Sequence, residues 1–306
     1  MKKKLPEQLR FLESARTKQK TCSESMLGKL SIVTGSTSGV GLEAVKRLAL
    51  AGSNIVMVCR NGTKAETIRK EVLATSPVII DIITADFSDL AQVRNAANVI
   101  LGRYRRIDVL IQSAGLYSTT RKLTADGFEL VFGVNHLASF LFTSLLLDRM
   151  KESAPARIIL VNSEGYRFGG LDYEDLDWSR RFYTGLRSYG ASKTAQLLAM
   201  NVFASNLANT GLTINAIHPG TVRTNIGGNN GLLYRLFFHG IVWRFMKDPV
   251  IAGEALYWMA ASAEVGTHNG AYFNLTTLEE VLERIKDKEN SEKMWNLSRK
   301  LTGLDA

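Results

Sequence analysis

Tyr189-Gly190-Ala191-Ser192-Lys193 sets a phenol and an ammonium four residues apart, and on a helix that spacing brings both to one face. An unperturbed tyrosine titrates at about pH 10, too high to shuttle protons at neutral pH. A neighbouring cation favours the phenolate, so the pair is equipped for general acid/base work. Taken alone such a pair is common by chance and reads first as an amphipathic helix with an exposed lysine. Two further side chains accompany it. Ser163 follows an apolar run in Val161-Asn162-Ser163, and Asn135 stands in Val134-Asn135-His136, early in the helical stretch before that run.

A second cluster lies near the start. Gly35, Ser36, Thr37, Ser38, Gly39, Val40 and Gly41 follow the first apolar run and open a helix over 42–51. Glycines let a backbone approach a pyrophosphate, while the helix N-terminus offers free N–H groups and positive potential. Tight strand-to-helix turns also use glycine for structural reasons, so position decides. The next apolar run ends at Cys59-Arg60-Asn61. A dinucleotide fold selects its ribose there, and an acid at that point would hold a 2′-hydroxyl and repel a 2′-phosphate. Here Arg60 stands instead of an acid, and a guanidinium grips phosphate with paired charge-assisted bonds. NADP(H) is the expected cofactor, ahead of NAD(H).

Short β-branched runs at 30–34, 54–59, 78–84, 109–113, 157–161 and 213–217 read as strands, separated by segments long enough for crossover helices. Right-handed crossovers between apolar strands demand a parallel sheet covered on both faces. The expected fold is therefore α/β, a single-domain doubly wound parallel sheet of Rossmann type over 29–306. Residues 1–28 read as a basic extension, a helix plus an arm, and 278–301 as a closing amphipathic helix.

The chain has 306 residues and a formal charge of +9. Much of the excess lies in the first 20 residues, at Lys2, Lys3, Lys4, Arg10, Arg16, Lys18 and Lys20, as a solvated arm would carry it. No reading module or aromatic-interleaved basic stripe marks a nucleic-acid binder. Cys22 and Cys59 form neither a disulfide framework nor a metal-spaced cluster, which fits a reducing, cytoplasmic compartment. There is no signal-like h-region, and no run of 18 or more apolar residues is apparent. His136 and His218 share no ligand spacing and read as structural.

The TGxxxGxG cradle with the ordered residues Asn135, Ser163, Tyr189 and Lys193 resembles the short-chain dehydrogenase/reductase family, and the likeness covers roughly 27–303. The resemblance implies that Tyr189 exchanges a proton with an alcohol or alkoxide and that Ser163 orients the carbonyl oxygen. It implies that Lys193 lowers the phenol's pKa and holds the nicotinamide ribose, while Asn135 positions a water leading to Lys193. It places Asp86 on adenine, Ala114 and Gly115 against the cofactor, and Pro219, Gly220, Val222 and Thr224 around the nicotinamide. Read without it, Asp86 is a helix N-cap with Ser88 as competitor. Gln112-Ser113 replaces the family's usual Asn-Asn, and Ser38 stands where a second basic residue is common.

Several segments are similar to the retinol-dehydrogenase-like branch: Cys59-Arg60-Asn61, Asp175-Leu176-Asp177-Trp178, Gly270-Ala271-Tyr272-Phe273 and Met294-Trp295-Asn296-Leu297. In the expected substrate-covering segment 225–248, the greasy stretch 232–246 carries Phe237, Phe238 and Trp243 with Arg235 and Arg244. It suits a lid on an apolar substrate such as a retinoid, steroid, fatty aldehyde or polyketide, a peripheral membrane contact, or a contact between subunits. Small polar carbonyls, a carbon–carbon double bond, and a non-catalytic NADP(H)-binding regulator remain open alternatives.

Overall fold

In the computed structural model the described residues are 17–222 and 248–305. They form one eight-stranded sheet in the order β3-β2-β1-β4-β5-β6-β7-β8. The strands are β1 (Leu30–Thr34), β2 (Asn54–Cys59), β3 (Ile80–Thr84), β4 (Val109–Gln112), β5 (Ala156–Val161), β6 (Leu212–His218), β7 (Tyr272–Asn274) and β8 (Thr277–Glu279). β1 to β7 run parallel and β8 turns back antiparallel on β7.

Successive strand residues feed opposite cores, as a pleat buried on both sides requires. Ile32, Leu110, Ile158 and Ile214 join one apolar cluster, and Val33, Ile111, Ile159 and Ile217 the other. The first cluster is covered by α3 (Leu90–Arg103), α4 (Leu130–Glu152) and α5 (Gly185–Asn206), and the second by α1 (Gly39–Leu50), α2 (Gly62–Leu73) and α6 (Val250–Ala261). β1 pairs with β2 on one side and β4 on the other, so the winding reverses there and leaves a crevice beyond the carboxyl ends of both strands.

The chain end departs from the expected single helix over 278–301. Leu278, Val281, Leu282 and Ile285 keep helical spacing, but Leu278 is part of β8, followed by the short α7 (Glu283–Lys286) and then α8 (Lys288–Leu301). Asp287 caps α8 by accepting from the Asn290 N–H. The long closing helix therefore starts at that cap.

Residues 17–28 form an arm without helix that packs onto the domain. Gln19 Oε1 accepts from Thr276 N at 3.0 Å, Lys20 N donates to Thr276 Oγ1 at 2.8 Å, and Tyr257 donates to Glu24 O at 2.6 Å. Met26 is buried in the second core. Residues 1–16 lie outside the described residues.

Among the described residues one helix, α4, is long and apolar enough to cross a membrane by length and composition. It is mostly buried, and its apolarity is explained by packing between the sheet and α3.

Candidate active site

The cradle is built by contact between two turns. Gly35 has φ +65°, and a Cβ there would lie 2.8 Å from Ala114 Cα; one on Gly41 would lie 2.5 Å from Gly35 O. Glycine is thus required for the turn after β1 to nest against the turn after β4. Ser38 occupies the α1 N-cap in extended conformation without a side-chain capping bond, and no acid sits in the first turn. The leading N–H groups and positive helix end therefore remain open to an anion.

Thr34 Oγ1 welds these turns, accepting from Ser113 N and Ala114 N at 3.0 Å each. Those bonds end β4 at Gln112 rather than at Ser113. Gln112 is fully engaged, taking a bond from Thr34 Oγ1 at 3.2 Å and donating to Thr143 Oγ1 at 3.0 Å and Ser139 O at 3.3 Å. The side-chain bonds of this turn are thereby met by different residue types. Gly115 stands against Asn135, where a Cβ would meet Oδ1 at 3.2 Å.

Beyond β2, the exposed Arg60 guanidinium lies 3.9 Å from the Asp86 carboxylate at the end of β3. Asp86 accepts from Ser88 N at 2.9 Å and Ser88 Oγ at 2.8 Å. Neither caps the following helix. Asp89 does so, by accepting from Ala91 N and Gln92 N, because five residues, 85–89, separate the end of β3 from the first helical turn.

Tyr189 and Lys193 lie one turn apart on α5. Ser163 accepts from Gly165 N at 3.1 Å, and its hydroxyl lies beside the Tyr189 phenol. Gly165 allows that approach, since a Cβ there would sit 3.0 Å from the Tyr189 ring. Lys193 Nζ donates to Val161 O at 2.7 Å and stands 5.8 Å from the Tyr189 ring centre.

Asn135 occupies a π turn, Gly133–Ala138, within α4. Its amide accepts from Leu116 N at 2.8 Å and donates to Leu116 O at 3.0 Å and Ser192 Oγ at 3.1 Å. It thus clamps the β4 turn to α5, with no bond to Lys193 among those formed by the described residues. A π turn is a common insertion at functional sites.

Burial dominates the electrostatics of the pair. Burial pushes Tyr189 up to about 12, offset in part by Ser163, and pushes Lys193 down to about 7. Desolvation penalises both charged forms, with Lys193 Nζ held near the ring by Val161 O. At neutral pH the phenol is a proton donor.

Pro219, Gly220 and Val222 follow β6; Gly220 takes φ +84°, and Val222 N donates to Gly220 O at 3.0 Å. Arg223, Thr224 and all of 225–248 except Asp248 lie outside the described residues. His136 Nε2 bonds Ser298 Oγ at 2.7 Å, and burial pushes His136 down to about 3 and His218 to about 4. Among the described residues no cluster of three His, Cys, Asp or Glu side chains could hold a metal.

Two contributors were not apparent from the sequence. Asn162 accepts from Ser163 N at 2.8 Å and donates to Lys193 O at 3.1 Å and Gln196 Oε1 at 2.8 Å, tying the serine turn to α5. Its place beside Ser163 was the available signal. Tyr117 packs edge-on to Tyr189 at 5.8 Å, a contact across 72 residues that no local pattern announces.

The short chain dehydrogenase family model matches residues 29–232. This chain belongs to the short-chain dehydrogenase/reductase family. Within it the enzyme is similar to human retinol dehydrogenase 13, 35% identical over 284 residues, covering 91% of this chain and 86% of that protein. Human retinol dehydrogenase 14 is 35% identical over 295 residues, covering 91% and 88%. A Mycobacterium paratuberculosis protein of known structure superposes with a TM-score of 0.76 at 26% identity, covering 94% of this chain and 98% of its own. A Burkholderia cenocepacia short chain dehydrogenase, solved in complex with NADP, shares the fold with a TM-score of 0.65 at 22% identity, covering 81% and 96%. This short-chain dehydrogenase is an alcohol/carbonyl oxidoreductase of the retinol-dehydrogenase-like branch.

Proposed function

We propose that this enzyme interconverts an apolar aldehyde or ketone and its alcohol using NADP(H), with Tyr189 as acid/base. The observation that carries the reading is the Ser163 hydroxyl set beside a phenol that burial keeps protonated at neutral pH. A carbonyl oxygen placed between the two hydroxyls receives one hydrogen bond from Ser163 and a proton from Tyr189 as negative charge develops on it. The Lys193 ammonium, close to the ring, then stabilises the phenolate left behind.

The open cradle fits a dinucleotide, with Gly35–Gly41 around the pyrophosphate, Asp86 at adenine and Ala114-Gly115 alongside. Tyr189 and Lys193 would hold the nicotinamide ribose, and Pro219-Gly220 with Val222 and Thr224 the nicotinamide itself. Bound there, the nicotinamide would supply or accept the hydride. Arg60 supports a 2′-phosphate. Its ion pair with Asp86 is largely exposed, and such pairs stabilise by only about 0–1 kcal/mol, so a phosphate can recruit the guanidinium at little cost.

An apolar substrate is supported by exposed Leu186, three residues before Tyr189 on α5, with exposed Phe168 and Phe182 on the flanking loop. Residues three apart share a helix face. The likeness to retinol dehydrogenases makes all-trans-retinal the first probe. In an NADPH-oxidation assay with all-trans-retinal, decanal and small polar carbonyls, turnover is expected on the first two. Tyr189→Phe should lower that turnover by more than about a hundredfold, the scale for losing a general acid, while leaving NADPH binding nearly unchanged. Near-normal turnover by the phenylalanine variant would refute the assignment.

A further inference from the structure

Glu129 is 1% exposed, yet its carboxylate gathers four donors from three parts of the chain. It stands at the N-cap of α4, where Oε1 accepts from Val131 N at 3.0 Å and Oε2 from Phe132 N at 2.8 Å. The same oxygens accept from Tyr183 Oη at 3.1 Å and Ser188 Oγ at 3.1 Å. Among the described residues no cation pairs with it. Its charge is met by those four donors and by the positive end of α4.

A cap alone does not require glutamate. Asp, Asn, Ser and Thr are the favoured N-caps because a short side chain folds back onto its own helix. The additional methylene of Glu129 lets one carboxylate cap α4 and also reach α5. The two oxygens thus bind two helices into one unit.

The position of that link is informative. Ser188 immediately precedes Tyr189, and a second link, Asn135 Nδ2 to Ser192 Oγ at 3.1 Å, immediately precedes Lys193. Ser188 and Ser192 lie four residues apart and so face α4 together. Two bonds spaced by one turn resist both rotation and sliding of α5. A rotation there would swing the Tyr189 phenol away from Ser163.

We propose that Glu129 is a positioning residue for the reaction, holding α5 through Ser188 so that Tyr189 and Lys193 keep their setting against Ser163. This rests on the reading of Tyr189 as the acid/base. Two variants isolate the link. Glu129→Asp keeps the charge and a good cap but is one methylene too short to reach Ser188, and Ser188→Ala removes only the donor.

Each should lower kcat with all-trans-retinal or decanal by about ten- to a hundredfold, the scale for a small misplacement of reacting groups. NADPH affinity and KM should stay within about twofold. The double variant should be no worse than the worse single one, because both break the same bond. Hydrogen exchange should quicken in Ser188→Ala over both 131–136 and 186–193, a readout that needs no substrate. The inference is overturned if both singles keep normal kcat below their melting temperatures while Tyr189→Phe is inactive, or if faster exchange is confined to the first turn of α5. An active Tyr189→Phe would instead remove the catalytic reading beneath it.

Discussion

The phenol and the ammonium of the site are governed by desolvation. Burial holds Tyr189 protonated and brings Lys193 to about 7, so each charge gains most from a partner supplied by a ligand. Arg60 is the opposite case, an exposed cation whose one ion-pair partner among the described residues is the Asp86 carboxylate at 3.9 Å. If it binds a 2′-phosphate, NADPH should bind more tightly than NADH by about 1–3 kcal/mol, the range for bonds to charged groups, or roughly 5- to 150-fold in Kd. Fluorescence titration of both cofactors should show this preference in the wild type and its collapse in Arg60→Ala. Equal wild-type affinities would remove NADP(H) selectivity from this residue.

The elements of the site meet where side chains are absent. A Cβ on Gly190 would stand 2.6 Å from Gly165 O and from Gly169 N, backbone that cannot yield without moving the serine turn. Gly190→Ala should therefore push α5 off that turn, at about 1–3 kcal/mol as for other overpacked sites, and disturb Tyr189 next to it. Gly102, near the end of α3, has no atom within 4 Å of such a Cβ. Gly102→Ala should be neutral or stabilising by up to about 1 kcal/mol through helix propensity. Thermal unfolding together with NADPH oxidation should separate the two. A Gly190→Ala protein as stable and active as wild type would show that the seam can relax.

For the whole molecule, buried histidine sets an acid limit. His136 lies between Phe132 and Phe140 and bonds Ser298, joining the π turn of α4 to α8. Its folded pKa of about 3 lies below the ordinary value of about 6.5. Below about pH 6.5 the unfolded chain takes a proton that the folded chain refuses until about pH 3, so stability falls as pH drops through that window. Between pH 7 and pH 5 this one group should cost on the order of 2 kcal/mol. His218, at about 4, acts in the same direction. Urea midpoints should fall less from pH 7 to pH 5 in His136→Gln than in wild type, and an unchanged fall would mean that other groups dominate the acid limb.

The order of strands and helices, the position of the cradle after β1 and the family were legible in the sequence because they depend on local periodicity and on spacing along the chain. Arg60, Ser163, Tyr189 and Lys193 could be singled out on the same grounds. Other features depend on distance through space. The 278–301 segment reads as one helix because Leu278, Val281, Leu282 and Ile285 repeat as a helix would, while pairing with β7 pulls the first of them into a strand. The docking of 17–28 rests on Thr276 and Tyr257, more than 230 residues away. The four donors on Glu129 and the protonation states of Tyr189 and Lys193 were likewise decided by tertiary structure, since burial and the direction of a hydrogen bond exist only once the helices have packed against the sheet.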